Sequence, residues 1–68
     1  MSTDAPALLI PAEEVARMMG VSERTLWRLA SAGRVPRPVR IGRNTRWRLA
    51  EIRDWIEQGC PPLARQPL

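Results

Sequence analysis

The stretch that decides the fold runs from Pro11 to Gly33 and reads PAEEVARMMGVSERTLWRLASAG. Two patterns of helical spacing lie in it, and the short link Gly20-Val21-Ser22 separates them. Two amphipathic helices joined by a tight turn that contains glycine form a helix-turn-helix. The sequence therefore predicts that motif in the first half of the chain.

The first helix is predicted to begin at Pro11, whose fixed φ and missing N–H suit the first helical position. Val15, Met18 and Met19 have the i, i+3, i+4 spacing of a side that faces a core. Gly20 is expected to end the helix, because glycine readily adopts the left-handed conformation found at helix ends.

The second helix is predicted to follow Ser22, a favoured N-cap residue, and to stop at Gly33. At 100° per residue, its inner face consists of Leu26, Leu29 and Ala30. The opposite face is then free for a partner.

Two arginines, Arg24 and Arg28, occupy that outer face, and Thr25 and Trp27 lie on its flanks. Thr25 either contacts a phosphate or a thymine methyl group, or packs against the first helix. Trp27 either packs over the β-hairpin (the wing) predicted for residues 39–49 or rests against a sugar-phosphate strand.

A β-hairpin is predicted for residues 39–49, because the two prolines in residues 34–38 exclude a helix there and the following residues alternate around a turn at 42–44. The expected inner face consists of Val39, Ile41, Trp47 and Leu49. Four arginines are expected outside, with one of them at the tip: Arg40, Arg46, Arg48 and, at the tip, Arg43.

A last helix is predicted from about Ala50 to Gln58, where Ile52, Trp55 and Ile56 repeat at core spacing. The fold class is therefore mainly α with a small β-hairpin: a winged helix-turn-helix in the order helix, helix, two-stranded wing, helix.

Charge is segregated along the chain. Eight arginines and no acidic residue lie between Arg24 and Ala50, whereas all seven acidic residues lie outside that stretch. Surface charge that serves only solubility is usually mixed in sign. With a net charge of +4 and a pI of about 11.3, the chain has the charge typical of a nucleic-acid binder. We expect the arginines of the second helix and the hairpin to form one continuous cationic surface.

The chain of 68 residues has room for one domain. We expect a disordered N-terminus over residues 1–7, the winged domain over 8–58 and a Pro-rich irregular tail over 59–68. Cys60 is the only cysteine and there is no histidine, so neither an internal disulfide nor a Cys/His zinc site is expected. No cofactor, metal or membrane partner is expected, and the absence of a long apolar run or signal pattern indicates a cytoplasmic protein.

The runs from Leu9 to Ser22, Arg24 to Leu29 and Ala32 to Pro36 resemble the winged helix-turn-helix of AlpA-type phage regulators, many excisionases and the MerR superfamily. Arg46-Trp47-Arg48 and the segment from Glu51 to Ile56 look like the wing strand and closing helix of that group.

The resemblance implies that the second helix enters the major groove of duplex DNA and that the hairpin reaches the minor groove or the backbone. It implies no small-molecule effector, because the sequence ends where MerR proteins continue into an effector domain. It also implies DNA-binding roles for nine residues: Ser22, Glu23, Arg24, Thr25, Arg28, Arg40, Arg43, Asn44 and Arg46. Arg48, on the expected outer face of the hairpin, completes the predicted set of ten.

Other functions compete with transcriptional regulation. An excisionase that bends DNA beside an integrase has the same fold, and a protein-interaction adaptor is a further alternative. RNA polymerase, an integrase and a second copy on adjacent sites are candidate partners. An enzyme is not expected, because the usual acid–base and nucleophile sets are missing and so short a chain should lack a pocket of ~300 Å³.

Overall fold

A computed structural model describes residues 8–63. The predicted order of helix, helix, two-stranded wing and helix is confirmed, and a short strand precedes it. The elements are β1 (Leu9–Ile10), α1 (Ala12–Met19), α2 (Glu23–Ser31), β2 (Val39–Ile41), β3 (Asn44–Arg48) and α3 (Leu49–Glu57). The expectations for residues 1–7 and 64–68 lie outside the described residues.

The strand β1 was not predicted. It pairs antiparallel with β3, with Leu9 opposite Arg48 and Ile10 opposite Trp47. The three-stranded sheet has the order β1-β3-β2, so β3 is the central strand. Two residues are too few to show the alternation by which a strand is recognised in a sequence.

The predicted ends of α1 and α2 are confirmed by their hydrogen bonds. Gly20 and Gly33 both have a φ of +73°, the left-handed conformation that glycine adopts without strain. After α2, the Gly33 amide donates to the Ala30 carbonyl at 3.0 Å and the Arg34 amide donates to the Leu29 carbonyl at 2.9 Å. This pair of bonds is the Schellman motif, which satisfies carbonyls at a helix end.

The starts of α1 and α3 differ from prediction by one residue. Pro11 is the N-cap of α1 in extended conformation and not its first helical residue. The last helix runs over Leu49–Glu57, with Arg48 as its N-cap. Neither cap residue makes a side-chain capping bond. The last helix begins early because β3 leads directly into it, and the Leu49 amide donates to the Leu8 carbonyl at 2.9 Å.

The predicted faces of the wing were wrong. Val39 lies opposite Arg46, and Ile41 lies opposite Asn44. Directly opposite residues share a face of a sheet, so Val39 and Ile41 lie with Arg46 and not with Trp47. Arg40, opposite Thr45, lies on the face of Trp47 and not, as expected, with Arg46 and Arg48. The turn contains two residues where three were expected, and a register shift of one residue moves every side chain to the other face. Ile41 is accordingly 48% exposed.

Trp47 lies at the centre of the core and is completely buried. Its indole N–H donates to the Pro36 carbonyl at 2.8 Å, which ties the segment before the wing to the central strand. The other completely or almost completely buried side chains come from all three helices and from the segment before the wing: Val15, Leu26, Val35 and Ile52. Within residues 8–63, no polar or charged residue is buried.

Candidate nucleic-acid interface

The start of α2 is fixed by Ser22, as predicted. Its hydroxyl oxygen accepts a hydrogen bond from the Thr25 amide at 3.1 Å, and the hydroxyl donates to Oγ1 of Thr25 at the same distance. Thr25 is half-buried. The structure therefore gives Thr25 a local role in the cap, and its contact with DNA remains a prediction.

Replacing Ser22 with alanine should lower the free energy of unfolding by ~1 kcal/mol, because the Thr25 amide loses its acceptor. Chemical denaturation measures this change. Ser31→Ala is the matched control: Ser31 is exposed at the last turn of the same helix, and its substitution should change the stability by less than ~0.5 kcal/mol. Equal effects of the two substitutions would contradict a capping role for Ser22.

The outer face of α2 is open to solvent. Arg24 and Arg28 are exposed, as is Glu23 at the first position of the helix, whereas Leu26 on the inner face is completely buried. The helix thus presents two guanidinium groups and one carboxylate to a partner while its apolar side holds it to the core.

The wing tip is the two-residue turn Gly42-Arg43. Gly42 has a φ of +59°, as the first central position of a type II′ turn requires. Asn44, which was expected in the turn, instead opens β3 opposite Ile41. Arg43 and Asn44 are both exposed.

The other wing arginines differ in solvent exposure. Arg40 and Arg48 are exposed, but Arg46 is half-buried. The Nη1 atom of Arg46 donates to the Thr45 carbonyl at 2.9 Å, so this guanidinium is held against its own strand. Arg46 was expected to point outward and is less available than the other two.

An open cleft of about 330 Å³ lies between the start of α1, the start of α2 and the wing. It brings together Glu23, Arg43, Asn44 and Arg46 from the predicted set. The other six predicted residues do not line it: Ser22, Arg24, Thr25, Arg28, Arg40 and Arg48.

The expectation of a continuous cationic surface needs correction at this cleft. Glu13 and Glu23 line it together with Arg43 and Arg46. Sequence reasoning missed Glu13 because it counted charge along the chain, whereas the fold brings the first turn of α1 close to the wing.

A second feature of α1 concerns charge outside the cleft. Arg17 forms an ion pair with Glu14 one turn earlier. The hydrogen bond from Arg17 lowers the pKa of the Glu14 carboxyl, against a smaller opposing effect of burial, and the same bond raises the pKa of Arg17. Arg17 is therefore engaged within α1, and an exposed pair of this kind adds little stability.

The expectation that the chain lacks a pocket of ~300 Å³ was wrong. Besides the cleft at the wing, an open cleft of about 470 Å³ is lined by Arg34, Cys60, Pro61 and other neighbours. Within residues 8–63, no group of three or more His, Cys, Asp or Glu side chains could hold a metal ion. In the same range, no helix has the length and apolarity needed to cross a bilayer.

A capped second helix with an exposed basic face, followed by a wing with an arginine at its tip, defines a winged helix-turn-helix protein. The model of the helix-turn-helix domain family matches residues 12–60, which is most of the chain, and the chain belongs to that family. Its fold and family make it a DNA-binding protein. No curated protein and no solved structure matches the chain significantly.

Proposed function

We propose that this protein is a small transcriptional regulator of the phage and mobile-element type, similar to AlpA, that binds duplex DNA sequence-selectively. Arg24 and Arg28 of α2 read or hold the major groove, with Ser22, Glu23 and Thr25 beside them. Arginine suits this role because its planar donors match the O6 and N7 atoms of guanine. Cytoplasmic location follows from the same proposal, because the partner is DNA.

The observation that carries the proposal is the exposure of arginines on two elements that flank one cleft. Arg24 and Arg28 are exposed on α2, and Arg43 is exposed at the wing tip. Residues of both elements, Glu23 and Arg43, line the cleft between them. In the proposed complex, a convex double helix meets α2 and the wing at the same time.

Arg43 at the tip anchors the wing on phosphates or in the minor groove, with Asn44 at the start of β3. Arg46 and Arg48 support it on one face of the hairpin, and Arg40 supports it on the other. A narrow minor groove has enhanced negative potential and attracts arginine. A single module of this size buries only ~600–1,000 Å² on DNA. Useful specificity then calls for a second copy on an adjacent site, or for a partner such as RNA polymerase.

Arg43→Ala should weaken binding to all duplex sequences alike, because a tip arginine contacts the backbone or the groove and not a defined base edge. A plot of log affinity against log salt concentration should become shallower by about 0.9 for one lost phosphate contact. Titrations of a labelled duplex at several salt concentrations measure both effects.

The matched control is Arg53→Ala, which removes the same charge from the exposed side of α3, where Arg53 lies beside Met18 and Glu57. It should leave the salt slope unchanged. Equal slopes for wild type and Arg43→Ala would contradict a phosphate contact at the tip. Failure to bind the duplex even at low salt would favour the protein-interaction adaptor.

An excisionase would use the same interface, and the resemblance covers that role equally. The two roles differ in what happens to the DNA, because an excisionase bends its site beside an integrase. Gel mobility of circularly permuted duplexes tests the excisionase role: absence of position dependence would contradict it, whereas a strong dependence fits both roles because some regulators also bend their sites.

The proposal is one of binding without catalysis. Glu51, Asp54 and Glu57 are exposed on α3, where solubility explains them. No cofactor or small-molecule effector enters the proposed mechanism.

A further inference from the structure

Trp27 is set apart from the other two tryptophans by its exposure. Its side of α2 leaves it 42% exposed, whereas Trp47 is completely buried and Trp55 is 7% exposed. A large apolar ring that is in contact with water can be a binding site for a partner, or it can be a packing residue of the fold.

Packing accounts for only one side of the Trp27 ring. The ring lies against Trp47 with centroids 5.5 Å apart and the planes tilted by 56°. This is a favourable aromatic arrangement. Because Trp47 is completely buried and bonded to the Pro36 carbonyl, Trp27 rests on a rigid support. A partner that contacts Trp27 therefore has little side-chain entropy to overcome.

The exposed side of Trp27 lines the cleft between α2 and the wing, together with Arg43 and Arg46. Within the described part of the chain, the indole N–H of Trp27 has no acceptor. The ring thus offers an apolar surface and a hydrogen-bond donor beside the exposed guanidinium of Arg43 and the half-buried one of Arg46, which also donates to the Thr45 carbonyl. A sugar-phosphate strand needs this combination, because it alternates an apolar sugar ring with a charged acceptor.

Acidic residues on the opposite wall of the cleft determine how a bound strand would be oriented. Glu13 and Glu23 lie on the helical side, and Arg43 and Arg46 lie on the wing side. Phosphates are repelled from the first pair and attracted by the second. A strand in the cleft is therefore held with its phosphates toward the wing.

We infer that this cleft seats one sugar-phosphate strand of duplex DNA, with a deoxyribose against Trp27 and the adjoining phosphates on the wing arginines. Trp27 is then a binding residue in addition to the ten predicted ones, and it fills the second of the two roles that the sequence left open for it. The inference rests on the proposed function, because a duplex that engages α2 and the wing must pass one strand through the space between them.

Acrylamide quenching of tryptophan fluorescence tests the inference directly. In the free protein, Trp27 should supply most of the quenchable emission, and Trp27→Phe should remove that component. A short duplex of mixed sequence at low salt should protect the wild-type emission to the level of the Phe variant. Labelled-duplex anisotropy, measured in the same samples, shows whether DNA is bound.

The outcomes separate the two proposals. If the duplex binds and Trp27 fluorescence is still fully quenched by acrylamide, the inference that a strand lies in the cleft is wrong and the proposed function stands. Wild-type protein that binds no duplex would overturn both. If the duplex binds and Trp27 is protected from acrylamide, the result supports both the proposed function and the strand in the cleft.

Duplex affinity of the Trp27 variants shows whether the ring contributes to binding, which protection from quenching does not. Trp27→Ala should weaken duplex binding by roughly tenfold, with less weakening for Trp27→Phe, which keeps a ring but loses the N–H. The salt slope should stay at the wild-type value, because Trp27 neutralises no phosphate. Circular dichroism confirms that each variant is folded, and wild-type affinity of folded Trp27→Ala would overturn the seat.

Discussion

Trp47→Ala should leave the domain largely unfolded at 25 °C. Replacing a buried Trp with alanine costs ~3–5 kcal/mol, and a core of this size rarely supplies more than ~3–5 kcal/mol in total. Trp47 is completely buried on the central strand, and its N–H is bonded to the Pro36 carbonyl. The substitution thus removes a large share of the core and leaves a buried acceptor without its donor.

Thermal and chemical unfolding followed by circular dichroism measures this loss. Trp47→Phe should cost less than Trp47→Ala, because it keeps a buried ring and loses the hydrogen bond, at ~1–3 kcal/mol, together with part of the ring volume. Trp27→Ala is the matched control, since Trp27 touches the same ring but is 42% exposed. A cooperative transition for Trp47→Ala near the wild-type temperature would mean that the core is not built around this residue.

Local chemistry made the helical part of the fold predictable. Ser22 caps α2, and Gly20 and Gly33 end the two helices, because each of these positions needs one kind of side chain or backbone. Trp47 and Trp55 were assigned to the core from their spacing, and both are buried. None of these assignments depends on how distant segments pair.

Pairing between segments was less accessible from the sequence. The turn Gly42-Arg43 is one residue shorter than expected, so Ile41 faces solvent and Arg46 shares its face. Glycine and asparagine permit several turn lengths, and only the paired strand decides among them. The strand β1 was missed for the same reason, because it exists through its pairing with β3.

In the candidate site, too, local features were predictable and features that depend on packing between segments were not. The exposure of Arg24, Arg28 and Arg43 followed from helical spacing and from position in a turn. The cleft that joins Glu13 and Trp27 to the wing did not, because it depends on the packing of α1 and α2 beside the hairpin. Sequence reasoning thus identified individual side chains better than the surface that they share.

Arg28→Ala should relax sequence preference at one or two base pairs by ~1–3 kcal/mol while leaving the fold intact. Arg28 is exposed in the middle of α2, and alanine is a better helix former than arginine, so no loss of stability is expected. A bidentate contact with guanine is worth this much because the wrong base leaves the donors of the guanidinium unpaired.

The measurement starts from a duplex that the wild-type protein selects from a random pool, in which each base pair is then replaced in turn. For Arg28→Ala, replacements at one or two positions should cost much less than for the wild type, and costs elsewhere should be unchanged. Arg53→Ala removes an equal charge on α3, so its profile should match the wild type. Uniform weakening by Arg28→Ala would place this arginine on a phosphate, and an unchanged profile and affinity would mean that α2 does not present this face to the groove.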